Sequence, residues 1–191
     1  VRFVGIGLGL IPGGASSDPA VYYAWNPADK GAAITLSNGN HTASSDTSAN
    51  SVRGITGHSS GHWYFEIRPS NEDSLIGIGA AGADLLRFPG GNADGLSWGY
   101  FGASGGKFNA NVGVGWGASY GTGDVIGVEY DNGALKYWKN GISQGTAFSG
   151  LSGTLYPMWG PSSAAGPHNA IINTGDSAFV YPLPSGAAAW G

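Results

Sequence analysis

The 191-residue chain has no cysteine. Disulfides and thiolate metal sites are therefore excluded, and the sequence gives no redox clue to its compartment. Charge is scarce too: Asp, Glu, Lys and Arg make up 10% of the residues, against roughly a quarter in ordinary soluble domains. The eight Lys and Arg are scattered and the formal net charge is -4. Nucleic acid needs clustered cations, so no such partner is expected. No apolar run approaches the roughly 20 residues of a membrane-spanning helix, and membrane insertion is not expected either. Helical periodicity of convincing length is also missing.

Potential catalytic groups are thinly spread. His41, His58, His62 and His168 are dispersed. His58 and His62 stand four apart, but Gly57, Ser59, Ser60 and Gly61 read as a turn into a strand, so both imidazoles are expected to face solvent. Glu72, Asp73, Asp84, Asp94 and Asp124 could supply a carboxylate pair for glycoside hydrolysis, yet the sequence brings no two of them together. The loop Gly91-Asn92-Ala93-Asp94-Gly95 has too few oxygen ligands for calcium. Gly5, Gly7 and Gly9 resemble a nucleotide loop, but no helix signal follows them. No catalytic residue, metal or cofactor is expected.

What the chain does have is a core and turns. It is 41% apolar and 12% aromatic, with seven Trp and nine Tyr, and its 36 Gly and 10 Pro punctuate short alternating runs. Such runs occur at 34–36, 63–67, 75–79, 96–100, 112–116 and 170–173, the pattern of an all-β sandwich or barrel. The clearest stretch is VIGVEYDNGALKYWKNGISQGTAF, residues 125–148. Asp131-Asn132-Gly133 and Asn140-Gly141 suit tight hairpins, so three consecutive antiparallel strands follow. Ile126, Val128 and Tyr130 share a face with Leu135 and Tyr137, while Lys136 and Trp138 point the other way. The expected core is Trp63 or Phe65, with Ile67, Ile76, Ile78, Ile126, Val128, Leu135 and Tyr137. Polar loops are expected at 37–51, 88–94, 102–107 and 161–169, the first of them low in complexity and exposed.

GHWYFEI (61–67), SLIGIGAA (74–81), GLSWGYFGASGGKFN (95–109), YGTGDVIGVEYDNGALKYWKNGISQGTAF (120–148), LYPMWG (155–160) and NTG (173–175) follow one another in the order seen in SPRY domains. The resemblance covers about residues 25–182. It implies a bent sandwich of two antiparallel sheets, lectin-like in architecture (a concanavalin-like jelly roll), that recognises partners and has no catalytic residues. WNPADKGAAITLSNGNHTAS, SVRGITGHSSGHWYFEI and the closing NTGDSAFVYPLPSG also resemble SPRY domains of bacteriophage tail, fibre and other virion proteins. Phe179-Val180-Tyr181 departs from the phage pattern at its second position. Without cysteine, the RING and B-box signatures of many animal SPRY proteins have no place in this chain.

The resemblance also suggests a site. In SPRY domains that grip short peptides, a tyrosine after the S-W-G-W stretch and a Trp-Gly pair after L-Y-P contribute to the pocket. Phe108 stands in place of that tyrosine, and Trp159-Gly160 in place of the pair. The bland alternative makes Phe108 and Trp159 packing residues. Trp116, Tyr120 and Trp138 are further candidates for ligand contact, with ordinary sandwich packing as their alternative.

The resulting division is an N-terminal arm or edge strand at 1–24, a SPRY sandwich at 25–184 and a C-terminal tail at 185–191. The weakly hydrophobic N-terminal run also has some features of a secretion signal. The first functional expectation is a virion surface protein (capsid decoration, head fibre or tail-associated). It would assemble as a homo-oligomer or with other virion proteins, and bind a host-surface protein or glycan. The second is an adaptor module, outside any virion, that binds a short peptide of a protein partner.

Overall fold

A computed structural model describes residues 23–48, 50–163 and 166–191. The expected N-terminal arm, apart from its last two residues, lies outside them. Among the described residues there are fifteen strands and no helix, arranged as two antiparallel sheets.

One sheet runs in the order β1 (Trp25–Lys30), β4 (Val52–Gly54), β13 (Leu155–Pro161), β6 (Ser74–Ala80), β7 (Ser97–Phe101), β8 (Gly106–Asn109) and β9 (Val112–Gly115). The other runs β12 (Ile142–Phe148), β11 (Ala134–Lys139), β10 (Ile126–Asp131), β5 (His62–Pro69), β14 (His168–Asn173), β3 (Thr42–Ser45) and β2 (Thr35–Ser37). A two-residue strand, β15 (Ala188–Ala189), pairs in parallel with β5.

The meander expected from turn chemistry is β10–β11–β12. Asn132, Gly133, Asn140 and Gly141 all have positive φ, as the two tight connections require. Ile126, Val128, Tyr130, Leu135 and Tyr137 face inward and are buried with Phe65, Ile67, Ile76 and Ile78. Tyr100, Trp159 and Trp190 fill the same core. Trp63 lies half-buried at its margin, its ring stacked on His58 at 3.7 Å.

Two expectations change. The stretch 37–51 is not one exposed loop: β3 runs through it with Ala43 and Ser45 buried. Alanine and serine carry almost no strand signal, because their burial depends on neighbours rather than on side-chain bulk. His58 and His62 are not simply solvent-facing either. His58 Nε2 lies 2.7 Å from the Trp190 carbonyl, and His62 Nε2 lies 2.8 Å from Glu129 Oε1. The closing residues 185–191 pack onto the sandwich. Trp190 is fully buried against Phe65 and donates from Nε1 to the Thr56 carbonyl.

The outer faces of both sheets are partly covered. Segment 81–96 folds over the first sheet, held by Arg53, whose guanidinium donates to the carbonyls of Ala81 and Ala83 and to both oxygens of Asp29 at 2.8 Å. Segment 177–187 crosses the second sheet. There the backbone N–H groups of Val180 and Tyr181 donate to the buried Glu66 carboxylate at 2.8 and 3.0 Å.

Candidate functional site

Along β7, Tyr100 points into the core against Tyr137, so alternation turns Gly99 and Phe101 to the outer face of the first sheet. Phe108 on β8 sits opposite Gly99 and shares that face. Phe88, from the covering segment, meets Phe108 edge-on at 6.0 Å, and Phe101 meets it at 5.8 Å. Glycine makes room for these rings: a Cβ on Gly113 would lie 2.5 Å from the Phe108 ring, and one on Gly91 2.5 Å from that of Phe88. The three phenylalanines are half-buried. In the covering segment itself, Leu86 is 62% exposed and Leu96 39%.

The frame around this patch is fixed by hydrogen bonds. Ser51 Oγ donates to the Arg87 carbonyl at 2.7 Å, Gly90 N–H to Ser97 Oγ at 2.9 Å, and Asn111 N–H to the Gly90 carbonyl at 2.9 Å. Asn92 bridges Asp84 and Asp94 at 3.1 and 3.2 Å, bringing together two carboxylates that the sequence left apart. The result is an apolar surface whose half-buried rings are held in place by edge contacts and the surrounding hydrogen bonds.

The other residues singled out in the sequence lie elsewhere. Trp159 is fully buried in β13, opposite Ile76, and donates to Ser74 Oγ at 3.2 Å. Gly160 is buried beside it, where a Cβ would lie 2.4 Å from the Asn50 carbonyl. Tyr120 is 3% exposed, with its hydroxyl against the carbonyls of Ser74 and Tyr100 at 2.8 and 2.6 Å. Trp116 packs edge-on against Tyr100 and Tyr137. Trp138 is half-buried on the outer face of the second sheet and donates to Glu129 Oε2 at 2.7 Å. The structure therefore does not unite the six candidates, and only Phe108 belongs to the aromatic patch. Sequence reading missed Phe88 and Phe101. Their signal was the glycine-rich FPGGN and GYFGASGG context, which leaves space over a ring.

Buried polarity explains the electrostatics. Burial pushes Tyr137 and Tyr120 well above the usual tyrosine range and Tyr100 up to about 12. Burial and the neighbouring Glu66 raise Tyr64 as well. Partial burial acts to raise Asp124. It is outweighed by hydrogen bonds from Gly121 N–H and Asn140 Nδ2 and by the charge of Lys139, so the carboxyl stays below its usual value. His62, Glu129 and Asp131 offer grouped metal-type ligand atoms. However, the Lys136 ammonium lies 2.9 Å from Glu129 Oε1 and 3.1 Å from Asp131 Oδ2. It supplies the positive charge that a metal ion would otherwise bring to that cluster.

The two-sheet architecture and the strand order define a SPRY-type sandwich, and the SPRY domain family model matches residues 62–173, more than half of the chain. The chain belongs to that family. Ran-binding protein 9 of Xenopus tropicalis is 33% identical over 95% of this chain and 35% of its own length. Ran-binding protein 9 of Homo sapiens is 33% identical over 87% of this chain and 24% of its own. The chain thus spans about a third or less of these curated relatives. Among solved structures, the SPRY domain of human HERC1 superposes with a TM-score of 0.66 at 18% identity, covering 81% of this chain and 100% of that one.

Proposed function

We propose that this domain is a non-catalytic recognition module of the adaptor kind, which binds a short segment of a protein partner on the face of Phe88, Phe101 and Phe108. The observation that carries the reading is the patch itself: Phe88 and Phe101 both packed edge-on against Phe108, in a frame fixed by hydrogen bonds. A pre-ordered aromatic surface loses little side-chain entropy on binding. The relatives named above are animal Ran-binding proteins, which favours this reading over the virion surface protein suggested by the edges of the sequence. Ran, the ligand in their name, is the first partner to test. Purified Ran and a library of short synthetic peptides should be titrated against the full chain and Phe108→Ala. Binding that weakens at least tenfold in Phe108→Ala, with the far-ultraviolet circular dichroism unchanged, supports the reading. Binding indifferent to Phe108 would sink it.

A further inference from the structure

A second concave surface lies on the opposite side of the sandwich, on the outer face of the second sheet. Pairing register sets Arg68 of β5 opposite Ile171 of β14, Ile171 opposite Thr42 of β3, and Thr42 opposite Ser37 of β2. Four neighbouring strands thereby contribute one row of side chains. The next row aligns Asn169 with Ser44. Together they line a cavity of about 450 Å³ in which Arg68 is the only charged lining residue.

Several features of this row point to a ligand. Arg68 is exposed and, among the described residues, makes no hydrogen bond or ion pair; the side chains of Ser37 and Ser44 make none either. Ile171, which pairs with Arg68 on one side and Thr42 on the other, is 45% exposed. The cavity thus combines a guanidinium without an ion-pair partner among the described residues, unused hydroxyls and one apolar contact. A lone guanidinium matches one carboxylate in bidentate fashion, whereas phosphate recognition typically gathers several cations. No aromatic ring lines the cavity, so it offers no flat platform for a sugar ring. The adjoining cavity of about 330 Å³ shares Arg68 and Ile171 but also contains Glu66 and Asp176, the latter 2.7 Å from His41 Nε2. Those carboxylates disfavour a second acidic group on that side.

We propose that this row is a binding site for an acidic peptide segment. One Asp or Glu side chain pairs with Arg68, a small apolar neighbour packs on Ile171, and a neutral or basic residue lies toward Asp176. The site is independent of the phenylalanine face, on the other sheet.

The test is a nuclear magnetic resonance titration of the full chain with the blocked peptide acetyl-Ser-Ala-Glu-Val-Ala-amide and its Gln counterpart. The expected result is saturable shifts at the amides of Ser44, Asn169 and Ile171 with the Glu peptide. Binding of the Gln peptide, or of the Glu peptide to Arg68→Gln, should be at least about tenfold weaker. Arg68→Gln should melt like the parent, because Arg68 has no partner to lose. The proposal fails if no saturable shift appears up to about 10 mM, if the Gln peptide binds equally, or if Arg68→Gln binds unchanged. It also fails if the shifts fall only on the phenylalanine face, or if phosphate or glucuronate binds this cavity more tightly than the peptide.

Discussion

The Trp-Gly pair after Leu-Tyr-Pro takes the place of a contact pair in peptide-gripping SPRY domains, but Trp159 is a core residue. Replacing Trp159 with alanine should cost about 3–5 kcal/mol of unfolding free energy in urea, through lost burial and the cavity left behind. This loss of stability would be the primary effect. The sequence hid the difference because Leu155-Tyr156-Pro157-Met158-Trp159 is apolar throughout. When both faces of a strand are covered, period-two alternation no longer identifies the inner one. Phe108 was legible as a candidate from its motif, but its partner Phe88 comes from a distant loop that no local spacing could place. Arg53 was illegible for a related reason. It reads as an ordinary surface cation, yet its side chain is 4% exposed and satisfied by Asp29 and two carbonyls. Arg53→Ala should destabilise by about 3 kcal/mol and loosen segment 81–96, seen as faster amide exchange there. Arg53→Lys should recover only part of this, since an ammonium cannot reproduce the planar fork.

The β10–β11–β12 meander was the most legible element, because its two turns require positive φ and the sequence supplies Asn-Gly at both. Gly133→Ala would bring a Cβ within 2.8 Å of the Leu151 carbonyl, and Gly141→Ala one within 2.6 Å of the Tyr181 ring. Each should lower stability by more than about 1 kcal/mol in thermal melts. The same element sets a pH window. Hydrogen bonding from Lys136 holds Asp131 below the usual carboxylate range, and Asp124 is held low by the contacts described above. Their contribution is complete above the ordinary value of 3.8 and is lost as pH falls through the lowered native values. Lys136 behaves in the opposite sense. Raised chiefly by its hydrogen bond to Glu129, it contributes fully below the ordinary value of 10.5, and this is lost as pH rises through the higher native one. Differential scanning calorimetry should show these acid and alkaline limbs, with Asp124→Asn flattening the acid one. By contrast, β3 and β15 were invisible in the sequence, being built from Thr, Ala and Ser whose strand character comes from neighbours.

At the scale of the whole molecule the all-β class was legible from alternation and turn chemistry, which agree along the chain. The two sheets came from the SPRY resemblance, and the core was legible in part, with Trp25, Val52, Tyr100, Leu155, Trp159 and Trp190 joining the residues named from the sequence. The strand order was not legible, because pairings such as β13 with β6 and β4 join distant segments. On the adaptor reading, light scattering should find a monomer both for the full chain and for the chain lacking residues 1–20. An oligomer that dissociates on truncation would favour an assembly arm. In an alkaline absorbance titration, Tyr64, Tyr100, Tyr120 and Tyr137 should stay protonated above pH 10 until the sandwich opens, then ionise together. The closing segment has a different significance. It lies over β5 and plugs the core with Trp190, so residues 185–191 behave as a tethered ligand of the remaining sandwich, present at high effective concentration. A single proteolytic nick after Pro184 would turn that tether into an exchangeable peptide, leaving a tryptophan-shaped vacancy open to competition from any free segment of similar form.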